Sequence, residues 1–287
     1  MSRTEPDVRT RIARLFVYPV KSCAGIEISE APLAETGLDL DRAWMVVDEH
    51  GEFVSQREVP RMALIRPQLK RNEVILRAPG MLALHLAVDQ VEAPARVRVW
   101  NDELQAWDMG NVAAQWFSDF LGARLRLARF DPEVRRLSSM QWTGGIEAPN
   151  QFSDGFPLLV TSEGSLAELN RRLAQAGHPE VGMERFRPNI VLAGLEAHDE
   201  DRLDMIRIAA DREVALKPVK PCPRCPVPDI DPQTAESTPH VSDTLRGYRS
   251  NERVGGAITF GMNAIVVEGV DTTLRVGQEV TANWRFD

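Results

Sequence analysis

Trp44-Met-Val-Val47-Asp48-Glu49-His50-Gly51-Glu52-Phe53-Val54 decides how the fold is read. An apolar run stops at a polar turn that ends in glycine, and an apolar pair follows, which is the pattern of a β-hairpin. Towards the amino terminus, Arg11 to Val20 carries Ile12, Leu15, Phe16 and Val17 and is stopped by Pro19. Ile26-Glu27-Ile28 alternates apolar and polar residues. Towards the carboxyl terminus, Glu73 to Arg77, Leu82 to Val88 and Ala95 to Trp100 repeat the strand pattern. Short strands at this spacing predict a β-barrel or meander, not a parallel sheet with crossover helices.

Two tracts read differently. Asn111 to Leu121 places Val112, Trp116, Phe117, Phe120 and Leu121 on one helical face, with Gly122 as the stop. A second helix is predicted from Ser162 or Glu163 to Gln175. Ser162 and Ser165 are its candidate caps, Leu166, Leu169 and Leu173 its apolar stripe, and Gly177 its end. Strands are expected again at Asn189 to Leu192, Met205 to Ala209, Glu213 to Lys217, Ala257 to Phe260, Ala264 to Glu268 and Gln278 to Trp284. Pro218 to Pro232 holds six prolines and is predicted to be an extended loop. The pattern breaks between Phe130 and Gln141. The chain therefore reads as mixed α+β and β-rich.

Composition excludes several functions. The 287 residues carry a formal charge of -8 with no block of Lys or Arg, which argues against nucleic acid and against anionic membrane surfaces. No stretch reaches the roughly 20 apolar residues of a spanning helix, and Met1 to Arg11 lacks the apolar core of a signal peptide. A cytoplasmic protein is expected. Cys23, Cys222 and Cys225 are too few for a disulfide framework and cannot supply four thiolates to an iron–sulfur cluster, so electrons would come from outside the chain.

The segment richest in chemistry is Lys217-Pro-Val-Lys220-Pro-Cys222-Pro-Arg224-Cys225-Pro-Val-Pro228-Asp229-Ile-Asp231-Pro232. Zinc would need further ligands from Cys23 or His240. A thioredoxin-like pair would want a helix after the second cysteine, which Pro226 and Pro228 discourage. The third reading is a single thiolate in a stiff loop, a metal ligand or nucleophile, with Arg224 and Lys220 favouring the charged sulfur. Against all three stands the plain alternative of two small buried hydrophobes.

Pro-Cys-x-Arg-Cys followed by Asp231-Pro232 resembles the signature of the MOSC family, the molybdenum cofactor sulfurase carboxyl-terminal type. The segment is especially similar to that of the mitochondrial amidoxime-reducing components and their bacterial relatives. Tyr18-Pro-Val-Lys21-Ser22-Cys23-x-Gly25, Asp41-Arg42-Ala-Trp44 and Gln56-Arg57-Glu58-x-Pro60 resemble the barrel domain that precedes MOSC there. Phe152-Ser153-Asp154, Leu159-Val-Thr161-Ser162-Glu163 and Arg185-Phe-Arg187-Pro-Asn189 continue the match in the same order. The resemblance implies an N-terminal β-barrel domain over residues 10–135 and a MOSC barrel-like domain with flanking helices over 136–285.

The same resemblance implies a molybdenum cofactor. Lys21, Ser22 and Arg42 match positions that hold the pyranopterin phosphate, with suitable charge-assisted donors. Thr161, Ser162, Arg187 and Asn189 match positions around the pterin, and Cys225 matches the metal ligand. Each has a plain alternative: a solvated lysine, a paired arginine, a helix cap. Pro228-Asp229 and Ala235 depart from the relatives on the substrate side of the loop. The implied activity is reduction of N-hydroxylated compounds, with electrons from a ferredoxin-like or flavin-dependent partner. A cofactor carrier or sulfur-handling protein is the alternative, and a zinc or thiol-redox protein a third.

Overall fold

The computed structural model describes residues 5–285, and its first strand, Val8–Val17 (β1), lies in the middle of a sheet built by the other end of the chain. The partners are Leu158–Ser162 (β2), Ile190–Leu192 (β3), Ile206–Ile208 (β4), Val214–Pro223 (β5), Ala257–Glu268 (β6) and Glu279–Ala282 (β7). The order is β2-β3-β1-β7-β4-β5-β6, and β6 pairs back to β2, so seven strands close into a barrel. Only β2 and β3 run parallel. The division read at 135/136 thus separates stretches of chain but not sheets, because β1 belongs to the closed barrel. Alternation along β1, shifted by one at an irregularity between Ile12 and Arg14, sends Ile12, Leu15 and Val17 into a core with Val160, Ile190, Leu216 and Val280.

Residues 30 to 130 supply the rest. Trp44–Val47 joins Arg126–Phe130, Asp102–Asp108 and Ala93–Val99 in an antiparallel sheet, while Arg66–Lys70, Glu73–Arg77 and Leu84–Ala87 form a meander. The turn after Val47 forms as read: Asp48 N–H donates to the Glu52 carbonyl, and Val54 N–H to Val46. Gly51 is required there, with φ of 81° and a hypothetical Cβ only 2.5 Å from the Arg96 carbonyl. The returning arm is short, because Phe53 N–H turns to Arg98. The helix Gly110–Leu121 (α1) buries Trp116, Phe117 and Phe120 against this half, and Gly122 ends it at φ 75°. Val112 points to solvent, contrary to the predicted face.

Two further expectations need correction. The proline-rich stretch is not all loop, since β5 runs through Pro218 and Pro221 to Pro223. β4 pairs only with Val214 to Leu216, so beyond Leu216 the prolines face no second neighbour that would need their missing N–H, and register shifts absorb the remainder. Ala257 to Phe260 and Ala264 to Glu268 are one strand, joined through Gly261 at φ 77°, where a Cβ would meet Thr161 and the Val160 carbonyl. The helix Glu163–Gln175 (α2) starts as predicted, with Ser162 accepting from Ser165 N–H at 3.1 Å.

Candidate functional site

A cleft of about 750 Å³ opens where the barrel meets the amino-terminal half. It is lined by Lys21, Ser22, Arg42, Arg187, Asn189 and Cys225, six residues from four separate stretches of sequence. Its local architecture begins at Tyr18, whose ring is fully buried and whose N–H donates to the Asp41 carboxylate at 2.8 Å. The guanidinium carbons of Arg42 and Arg187 each lie 4.3 Å from the centroid of that ring. Such cation–π contacts fix the direction of both cations without neutralising them. Gly25 is glycine because its α-carbon packs against the same ring: an added Cβ would stand 2.3 Å from Tyr18 Cε1.

Hydrogen bonds complete the clamp. Arg42 donates to the buried Asp41 carboxylate at 2.5 Å, to Asn189 Oδ1 at 3.3 Å and to the Arg187 carbonyl at 3.0 Å. Arg187 donates to the Cys23 carbonyl at 2.6 Å and to Gln56 Oε1 at 3.4 Å. Burial, and then the neighbouring Arg42, lowers the Arg187 pKa to about 10, which leaves it charged at neutral pH. Asn189 is a structural knot as well as a lining residue: its amide donates to Phe16 and its Oδ1 accepts from Leu159 N–H. Ser22, Arg42 and Arg187 all have positive φ, at 67°, 51° and 57°. Non-glycine residues in the left-handed region cost free energy and concentrate at functional sites.

Lys21 is buried, donating to the Phe152 carbonyl at 2.8 Å and to Asp154 at 2.5 Å. Burial lowers its pKa, and the Asp154 carboxylate opposes the shift. Arg136 ties down the segment that carries Asp154, donating to Asn150 Oδ1 and to the Gln151 and Ser153 carbonyls at 2.6 to 2.8 Å. Cys225 and Cys222 are half-buried and both line the cleft. The loop between them and the barrel is held from outside by Arg185, which donates to the Pro228 carbonyl at 3.2 Å and to Asp231 at 2.9 Å.

Three placements differ from expectation. Thr161 and Ser162 are fully buried and do not line the cleft. Thr161 contacts Met183 Sδ, and Ser162 caps α2 while donating to the Glu200 carboxylate at 2.8 Å. Both belong to β2, whose five residues are all buried, and their hydroxyls are engaged by Met183 and Glu200 away from the cleft. Arg224 reaches Cys222 Sγ at 3.0 Å instead of Cys225, and Lys220 lies over the Trp142 and Phe156 rings. Cys23 is a buried thiol with its pKa pushed up to about 12 by burial, so it offers no thiolate near neutrality. Among the described residues, no three His, Cys, Asp or Glu side chains converge as a metal site, which gives a zinc centre no ligand set.

The sequence reading missed Arg57, Trp100, Asp102 and Arg136 as parts of this cleft, and Asp154 as the partner of Lys21. Asp154 closes the Phe152-Ser153-Asp154 motif. Trp100 becomes visible only through the turn that carries it.

The MOSC N-terminal beta barrel domain family matches residues 9–124, and the MOSC domain family matches residues 147–281. The chain is 36% identical over 248 residues to mitochondrial amidoxime reducing component 2 of Homo sapiens, covering 83% of this chain and 72% of that one. It is 35% identical over 283 residues to mitochondrial amidoxime-reducing component 1 of Mus musculus, covering 94% and 81%. With the molybdenum cofactor sulfurase of Homo sapiens it shares 30% identity over 271 residues, 88% of this chain but 29% of that one. The motifs that build the cleft, the closed barrel and these matches agree: the chain belongs to the MOSC family, with the N-terminal β-barrel domain preceding the MOSC domain.

Proposed function

We propose that this chain is a molybdenum-cofactor-dependent oxidoreductase that removes oxygen from N-hydroxylated compounds, drawing electrons from a separate redox protein. The observation that carries the reading is the convergence of Lys21, Ser22, Arg42, Arg187, Asn189 and Cys225 on one cleft. The similarity to amidoxime-reducing components gives the substrate class its support.

The residues fit the cofactor. Cys225 makes no hydrogen bond among the described residues, and its soft sulfur suits a second-row transition metal. Lys21 spends two of its three N–H donors on protein acceptors, which leaves one for a phosphate oxygen. Ser22 adds a hydroxyl, and the Tyr18 clamp aims two guanidinium groups without satisfying all their donors. Thr161 and Ser162 would support the site only through β2. When bound, the cofactor supplies two-electron redox chemistry at the metal. In the net reaction an N–OH bond is replaced by N–H, consuming two electrons and two protons and releasing water.

With three cysteines the chain cannot ligate a four-cysteine cluster, so the electrons are assigned to a ferredoxin-like or flavin-dependent partner. No helix among the described residues is long and apolar enough to cross a membrane, and a cytoplasmic location remains part of this proposal.

The test supplies a chemically reduced dye as donor and an amidoxime or hydroxylamine as acceptor. Wild type should consume both, and Cys225→Ala should not. Equal turnover by a cofactor-loaded Cys225→Ala variant would refute the assignment. Molybdenum binding without reduction of any acceptor would favour a carrier or sulfur-handling protein, the reading supported by similarity to the sulfurase.

A further inference from the structure

Trp100 is a large residue at a backbone position that suits small ones. Val99 pairs with Asp102, so Trp100 and Asn101 are the two residues of a hairpin turn. Trp100 has φ of 56°, a conformation that Gly, Asn and Asp adopt readily and a bulky residue does not. The indole gains little burial in return, because the residue is 42% exposed. It is nevertheless held firmly. The Arg57 guanidinium lies 4.7 Å from its centroid, Phe53 meets it edge-on at 5.0 Å, and Nε1 donates to Asp154 at 3.2 Å. Asp154 in turn pairs with Lys21. The strained turn therefore presents a fixed aromatic surface on the cleft wall, two hydrogen bonds from the lysine.

The geometry points to Trp100 as a stacking platform for the planar heterocycle of the phosphate-bearing cofactor. This rests on the proposed reading that the cleft takes a pyranopterin whose phosphate lies at the Lys21 end. An indole face binds flat heteroaromatic rings through stacking, without hydrogen bonds of its own. Arg57 and Asp154 keep the ring from turning away. A substrate ring shares this chemistry, and the two sources differ in whether pterin retention or acceptor selectivity depends on the indole.

Two variants expressed in a host that makes molybdenum cofactor separate the possibilities. Trp100→Asn suits the turn, so the cofactor-free protein should melt at or above the wild-type temperature. Its pterin content per chain after gel filtration should fall at least about fivefold. Trp100→Phe keeps a ring but loses the Asp154 bond, and should retain pterin within about twofold of wild type. Wild-type pterin content in Trp100→Asn would overturn the proposal, as would an equal loss in both variants, which would make the Asp154 bond the operative contact. If Trp100→Asn holds pterin normally but loses selectivity for aromatic amidoximes over hydroxylamine, the ring serves substrate and the cofactor assignment is wrong. Wild-type protein without pterin would instead refute the functional reading itself, before any variant is compared.

Discussion

Replacing Gly25 by Ala would place a methyl carbon 2.3, 2.7 and 2.9 Å from three atoms of the Tyr18 ring. Non-bonded carbons prefer about 3.5–4.0 Å, so the ring would have to retreat by roughly 1 Å. It has little room to do so. The ring is fully buried, its backbone is tied to Asp41, and the Arg42 and Arg187 guanidinium groups lie against it. Overpacking of this kind costs about 1–3 kcal/mol, while the stiffer unfolded chain returns about 0.4–1 kcal/mol. A net loss of about 1–2 kcal/mol should lower the melting temperature by roughly 2–6 °C in a chain of this size. The functional loss should exceed the stability loss, because moving Tyr18 redirects both cations that face the cleft. Thermal denaturation of the cofactor-free protein, followed by pterin analysis of protein from a cofactor-producing host, measures the two effects. An unchanged melting temperature with unchanged pterin content would refute the claim that the Tyr18 clamp aims Arg42 and Arg187.

Other sites give separable outcomes. Lys21→Met strands no buried carboxylate, since the Asp154 side chain is 74% exposed. It should therefore melt near wild type while losing pterin about tenfold or more, the worth of a charge-assisted hydrogen bond; pterin assay and calorimetry check this. Ser162→Ala should destabilise the fold by about 1 kcal/mol through the lost helix cap without changing pterin content, read by urea denaturation. Glu200 is fully buried, and burial, with Asp201 beside it, raises its carboxyl to about 7 despite donation from Ser162 and Ser165. A carboxyl raised on folding adds stability below about pH 4.5 that is lost as pH climbs through 7, here about 3 kcal/mol in all. The stability difference between wild type and Glu200→Gln should shrink by that order between pH 4.5 and 8. A pH-independent difference would show that Glu200 does not titrate in this range.

Local pattern told most of the secondary structure and little of its assembly. Strands such as Glu73–Arg77 and helices such as Glu163–Gln175 are written in periodicity and caps. Closure of the barrel is not, because β1 pairs with strands about 180 and 270 positions away, and contacts of such separation leave no local signature. The cleft was legible where several motifs shared one order, since Lys21, Arg42, Arg187 and Cys225 all line it. The cleft lining does not include Thr161 and Ser162, where the motif also encodes a buried strand and a helix cap. Nor was the direction of Arg224 legible, since it depends on Phe186 and Cys222 and not on the neighbouring Cys225. The role of Trp100 depends on a backbone angle that composition cannot show.

The proposed function requires Cys225 to anchor a molybdenum pterin in this cleft. Metal and pterin content of protein purified from a cofactor-producing host, wild type against Cys225→Ser, tests it most directly. Molybdenum and pterin are expected near one per chain in wild type, with the metal lost or its ligand spectrum altered in the variant. Well-folded wild type that carries neither metal nor pterin would contradict it, as would a variant with unchanged metal and an unchanged ligand spectrum.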